Sequence, residues 1–221
     1  MNKLLIVANL KSYKTQIEAK EWLENFKKIR ELGQNLGNKE IVVCPSFTLL
    51  SIFSSYVFDN SLSVKIGAQN VSAFDEGAYT GEVNAKQIKD FAEYVLIGHS
   101  ERRNNFNETD DILSKKVELS LGYGLKPIFL VSSNDNLIPQ GVEIVAYEPV
   151  FAIGSSAPDT PENADKTASL IKEKNNYQIL YGGSVTSDNV KSFTEETNLT
   201  GVLVGGASLE AEEFIKIIQN A

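Results

Sequence analysis

Cysteine occurs once, at position 44, so no intrachain disulfide can form. That fits a reducing compartment, and the cytoplasm is the expected location. Cys44 closes the apolar run Ile41-Val42-Val43, where a small buried hydrophobe is its expected role. Basic residues are also scarce. The 21 Lys and Arg against 29 Asp and Glu leave a net charge of −8 and a pI near 4.8. This balance argues against a general binder of nucleic acid or anionic membranes, while leaving room for a local basic pocket for an anionic substrate. Long hydrophobic runs are lacking too. The first apolar run, Leu4 to Ala8, is far too short to span a bilayer and has no signal-peptide cleavage pattern. There is no Cys/His cluster and no dinucleotide fingerprint, so no metal and no cofactor are expected. Linkers and low-complexity segments are also missing. With 221 residues, 42% of them hydrophobic, one sizeable core and one domain spanning 1–221 are expected.

What is there is a series of short apolar runs: Leu4–Ala8, Ile41–Cys44, Val64–Ala68, Tyr94–Gly98, Ile128–Val131, Ile144–Glu148, Tyr177–Tyr181 and Val202–Val204. Continuous runs of this kind suit parallel strands covered on both faces. Amphipathic stretches mostly alternate with them. Thr15 to Glu18 has the form of a capping box, and Ala19, Trp22, Leu23, Phe26 and Ile29 follow at helical spacing. Asn107 or Thr109 caps a helix with Ile112, Leu113 and Val117 inward. Thr160-Pro161 opens another, and Ser208 is the expected cap of the last. Eight strands alternating with helices predict a (β/α)8 barrel, an α/β fold. The doubly wound alternative would have fewer strands and a Gly-rich turn after the first. One unit is short: residues 132–143 are rich in Asn, Asp, Pro and Gly, so the fifth helix is predicted to be missing or reduced.

Barrel active sites gather at the C-terminal ends of the strands. Those ends carry Asn9 and Lys11, Gln69 and Asn70, the single histidine His99, Glu148, Ser184, and the pairs Gly182-Gly183 and Gly205-Gly206. The grouping of polar residues on one face favours a catalytic site over scattered surface polarity. Glu148 ends a strand ahead of a loop bracketed by Pro149 and Gly154, as suits a general base with a lid. The alternative is a strand-end glutamate paired with a surface lysine. His99 opens the turn Ser100-Glu101-Arg102-Arg103, whose backbone N–H groups favour a neutral imidazole able to polarise a carbonyl. Lys11 offers a positive charge, and the Gly pairs offer backbone N–H groups to a phosphate.

Seven stretches in this order resemble the triosephosphate isomerase family: 8–11 (Ala-Asn-Leu-Lys), 67–70, 77–82, 97–103, 147–154, 181–185 and 204–209. The resemblance implies interconversion of dihydroxyacetone phosphate and D-glyceraldehyde 3-phosphate without a cofactor, a step of glycolysis and gluconeogenesis. It further implies Glu148 as the base, His99 as the neutral electrophile and Lys11 as the cationic binding residue, a pairing known from the family rather than read from spacing. Asn9 would position the substrate and Glu101 would hold Lys11. Phosphate would sit on the N–H groups of Gly154, Ser184, Gly205 and Gly206. A homodimer is implied, with the loop around Gln69 to Gly81 docking into the partner and Thr80 approaching its site.

The chain also departs from the family. Leu130-Val131-Ser132-Ser133 replaces the usual Cys-Ile-Gly-Glu, and Phe151 replaces the usual lid tryptophan. Both partners of one lid hydrogen bond are therefore gone. Ser156-Ala157-Pro158-Asp159 replaces a hinge that usually reads Gly-Lys-Thr-Ala, so altered lid kinetics are expected. Two rival readings remain. Another phosphate-binding barrel enzyme would explain the glycines but not Lys11, His99 and Glu148 together. A degenerate member kept for binding would explain the short unit but not the intact triad.

Overall fold

The computed structural model describes residues 3–29, 36–149 and 159–221. The expected lid features at Phe151, Gly154 and Pro158 lie outside them. Eight parallel strands close into a barrel in sequence order: β1 (Leu4–Asn9), β2 (Lys39–Cys44), β3 (Lys65–Ala68), β4 (Tyr94–Ile97), β5 (Lys126–Val131), β6 (Ile144–Tyr147), β7 (Gln178–Tyr181) and β8 (Gly201–Val204). Closure pairs β1 with β8 from Leu5↔Gly201 to Ala8↔Val204, which leaves no exposed strand edge.

Alternation along the strands divides the core in two. Val7, Leu96, Leu130, Ala146 and Leu203 fill the barrel interior. Ile6, Ala8, Val95, Phe129 and Tyr181 face the helices.

The helices are α1 (Gln16–Phe26), α2 (Leu50–Asp59), α3 (Ala85–Lys89), α4 (Ser100–Phe106), α5 (Asp110–Gly122), α6 (Pro161–Lys172), α7 (Val190–Thr194) and α8 (Ala211–Asn220). Their starts follow the cap chemistry of the sequence. Thr15 and Glu18 close a reciprocal capping box on α1. Thr109 caps α5, and Thr160 caps α6 with Pro161 in its first turn. Two helical details differ from expectation. Ser208 does not cap α8, because Glu210 occupies that position. Ser208 is buried in a 3-10 turn, Gly206–Leu209, and its Oγ bonds Gly205 O at 2.7 Å. Ile112 is only half-buried on α5, while Lys116 is buried.

No helix joins β5 to β6, as the composition of 132–143 predicts. A turn does so instead. Asn136 Oδ1 accepts the N–H groups of Ser132 at 2.8 Å and Ser133 at 2.9 Å. These bonds satisfy backbone donors that a helix would otherwise have paired. The outer wall is thinly covered there, and Leu121, Leu137 and Leu170 are exposed. No helix among the described residues is long and apolar enough to cross a membrane.

Candidate active site

Asn9 ends β1, and its Oδ1 accepts the Lys11 N–H at 3.0 Å. Lys11 is held at φ 51°, a backbone region unfavourable for a residue with a side chain. From the end of β3, Gln69 Nε2 donates to Lys11 O at 2.9 Å and to Cys44 O at 2.8 Å. One amide after β3 thus ties the turn after β1 to the end of β2. The Lys11 ammonium meets Glu101 Oε1 at 2.6 Å.

Glu101 belongs to the first turn of α4, which His99 caps. His99 Nδ1 accepts the Glu101 N–H at 3.2 Å. In a neutral ring the proton must then sit on Nε2. Burial pushes the imidazole below its ordinary value. The Glu101 carboxylate opposes that shift, and the charges of Lys11 and Arg102 reinforce it.

His99 Nε2 stands 3.4 Å from Glu148 Oε1. Glu148 follows β6, its N–H bonded to Val131 O at 2.8 Å. The side chain is buried, and burial pushes the carboxyl up to about 8. Lys11 and the Ser100 N–H pull it the other way. The Ser100 hydroxyl stands toward the carboxyl as well and, like the N–H, favours its charged form.

The glycines shape the far side. A Cβ on Gly182 would stand 2.6 Å from Glu148 Cγ, and one on Gly205 would stand 3.2 Å from Lys11 Cε. Gly205 leads into the 3-10 turn after β8, whose first N–H groups lack acceptors within the turn and can serve an anion. Ser184 follows Gly182-Gly183, and its carbonyl accepts Asn189 Nδ2 at 2.9 Å. A cavity of about 260 Å³ opens beside Asn9, Lys11, Gln69, His99, Glu101 and Phe106.

The fold therefore brings together Asn9, Lys11, His99, Glu101, Glu148 and Gly205, with Ser184 and Gly206 at the adjoining strand ends. Gly154 lies outside the described residues. Thr80 stands in the exposed loop between β3 and α3 and takes part in none of these contacts.

A buried polar network that no sequence motif marks lies behind the site. Lys116 Nζ donates to Asn70 Oδ1 at 2.6 Å and Glu108 Oε1 at 2.5 Å, and Arg102 Nε reaches the same oxygen at 2.6 Å. Burial pushes the Lys116 ammonium down, while Glu108 supports its charge. The available signal was spacing: Lys116 lies among Leu113, Val117 and Ser120, on the inward face of α5.

The triosephosphate isomerase family model matches residues 4–137 and 133–221. The two pieces meet in the helix-free connection between β5 and β6. The triosephosphate isomerase of Dictyoglomus thermophilum is 37% identical over 254 residues, covering 100% of both chains. That of Trichodesmium erythraeum is 38% identical over 242 residues, covering 99% of each. That of Aquifex aeolicus is 36% identical over 246 residues, covering 97% of this chain and 98% of its own. On a match that runs from β1 to α8, the chain belongs to the triosephosphate isomerase family.

Proposed function

We propose that this isomerase interconverts dihydroxyacetone phosphate and D-glyceraldehyde 3-phosphate, with Glu148, His99 and Lys11 as its catalytic residues. The observation that carries the reading is the approach of His99 Nε2 to Glu148 Oε1 at 3.4 Å, with Nδ1 already occupied as an acceptor. A carboxylate base and a neutral N–H donor then face one small volume. Glu148 removes a proton from the carbon beside the substrate carbonyl. Charge develops on the carbonyl oxygen, where His99 Nε2–H donates to it and the Lys11 ammonium offsets it. The proton of the adjacent hydroxyl passes to the former carbonyl oxygen by way of His99, and the Glu148 carboxyl returns its own proton to the neighbouring carbon. No step draws on a cofactor. A base whose value lies near the operating pH combines basicity with an accessible ionised form.

Asn9 helps position the substrate, and Glu101 holds Lys11. The phosphate rests on the N–H groups of Gly154, Ser184, Gly205 and Gly206, and a single barrel domain carries the whole site. The enzyme works in the cytoplasm, where Cys44 stays a buried thiol that burial keeps protonated. A homodimer completes the reading. The loop over 69–84 exposes a stacked pair, Phe74 and Tyr79, with ring centroids 4.3 Å apart. Thr80, next to Tyr79, approaches the partner's site when that loop docks.

The test couples isomerisation of D-glyceraldehyde 3-phosphate to NADH oxidation by glycerol-phosphate dehydrogenase, with Glu148→Ala alongside. Turnover by the parent and near-silence of the variant support the reaction and the base together. A folded, phosphate-binding parent without turnover sinks the reading and favours a binding protein.

A further inference from the structure

The N–H groups of Gly205 and Gly206 belong to one short turn after β8, and two adjacent glycines give it little stiffness of its own. A Cβ on Gly206 would meet nothing within 4 Å, so side-chain packing does not hold that residue either. Part of the restraint comes from Ser208. Its N–H and its hydroxyl both bond Gly205 O, at 2.9 and 2.7 Å, and the hydroxyl lies 3.4 Å from Asn9 O at the end of β1. These contacts fold the turn on itself and set it beside β1. They leave open what fastens its far end to the body of the barrel.

That fastening comes from the helix layer. Trp22 on α1 is buried, and its Nε1–H donates to Ser208 O at 3.0 Å. Carbonyls at the end of a helical turn lack partners within it, and here the indole supplies one. The ring itself has little freedom. It stacks on Phe26 with centroids 4.6 Å apart, while Phe53 of α2 and Phe214 of α8 stand 5.6 and 6.5 Å away. The other buried residues of α1, Ala19, Leu23 and Phe26, carry hydrocarbon only. Another hydrocarbon would satisfy packing at position 22 as well. The indole adds one polar atom to this face, and that atom meets the phosphate turn. Trp22 is also the only tryptophan of the chain.

We propose that Trp22 is a positioning residue for phosphate recognition: its N–H, fixed within the aromatic cluster of α1, α2 and α8, holds the turn after β8 so that the N–H groups of Gly205 and Gly206 stay directed at the phosphate. The inference deepens the isomerase reading and rests on its assignment of those two N–H groups. Donors held in place before the ligand arrives bind it without the cost of ordering a loop. Loss of the anchor therefore shows in phosphate affinity and in KM. Glu148 and His99 stand at the ends of β6 and β4, away from the anchor, so the rate at saturation is largely kept.

The experiment titrates inorganic phosphate by calorimetry and measures kcat and KM for D-glyceraldehyde 3-phosphate. It compares the parent, Trp22→Phe, Phe53→Leu, and a chain carrying benzothienylalanine in place of its one tryptophan. That analogue keeps the fused ring and puts sulfur where the N–H was. Thermal melting gives the stability of each. Trp22→Phe and the analogue weaken phosphate binding about fivefold and raise KM by a similar factor, with kcat within about twofold of the parent. Phe53→Leu trims the same aromatic cluster and lowers the melting temperature, yet keeps the parental phosphate affinity. Parental phosphate affinity in the analogue overturns the inference. So does equal weakening in Phe53→Leu, which would trace the effect to packing alone. A parent that binds no phosphate overturns it as well. A parent that binds phosphate without turnover is a different failure: the isomerase reading falls, and the phosphate titrations still decide the role of Trp22.

Discussion

Glu148 rests directly against Gly182. A methyl group at Gly182 would stand 2.6 Å from Glu148 Cγ and 3.4 Å from Oε1. The first distance is shorter than non-bonded carbons tolerate, so something must move. Tyr147 O lies 3.4 Å from the same point, and the buried strand ends resist a shift. The glutamate side chain is the softer partner. Gly182→Ala should therefore fold, with kcat reduced about a hundredfold and KM changed far less. Circular dichroism and the coupled assay decide this. A kcat within twofold of the parent would mean that the close approach does not fix the carboxylate.

The buried carboxyl also makes stability depend on pH. Burial lifts Glu148 from 4.5 to about 8 in the folded chain. Between those values the folded state holds a proton that the unfolded state has released. The stability associated with that proton is present below about 4.5 and is lost as pH rises through about 8. Glu148→Gln removes the titration. Its stability should gain on the parent's between about pH 4.5 and 8 and level off above, by on the order of a few kcal/mol in all, read as a widening gap in melting temperature. The parent's kcat/KM should rise over the same range as the base ionises. A constant gap in melting temperature across pH would refute the assignment.

Much of this was legible in the sequence because a parallel barrel writes its strands as continuous apolar runs. Ile144 to Tyr147 and Val202 to Val204 need no long-range information to be found. The helix-free link after β5 was legible too, since Asn136, Pro139 and Gly141 crowd a span too short for an ordinary crossover. Ser208 misled for a physical reason. A serine just before an acidic helix start looks like a cap, yet its hydroxyl bonds Gly205 O instead. Lys116 and Asp159 read as surface and loop residues by type. Their burial follows from partners that only the fold brings to them: Asn70 and Glu108 for Lys116, and Tyr181 for Asp159.

The Lys116–Glu108 pair should behave as a buried ion pair. Each side chain is 5% exposed, and Asn70 and Arg102 complete the cluster. Removing one partner leaves an uncompensated buried charge, at a cost of about 3–5 kcal/mol. Glu108→Ala should lower stability by roughly that amount, because Lys116 loses its counter-charge in a desolvated site. Glu108→Leu combined with Lys116→Met should recover a substantial part, since the buried charges go together. Urea denaturation of both variants measures the difference. A double variant no more stable than Glu108→Ala would show that the cluster acts through Arg102 rather than through Lys116.

The loop between β3 and α3 should carry the subunit contact. It is organised before any partner arrives: Ser72 N bonds Val83 O at 2.9 Å, and Tyr123 Oη bonds Asp75 Oδ1 at 2.8 Å. At its tip Phe74 is 47% and Tyr79 45% exposed, an arrangement that costs apolar hydration unless something covers it. Burying a large apolar side chain is worth about 1.5–3 kcal/mol, and twofold symmetry would count each ring twice. Phe74→Ser with Tyr79→Ser should thus shift a micromolar sample from dimer to monomer in sedimentation. Its circular dichroism spectrum should stay that of the parent, since these rings pack mainly on each other. Activity should fall along with dimer content if Thr80 supports the partner's site. Sedimentation identical to that of the parent would place the contact elsewhere on the barrel.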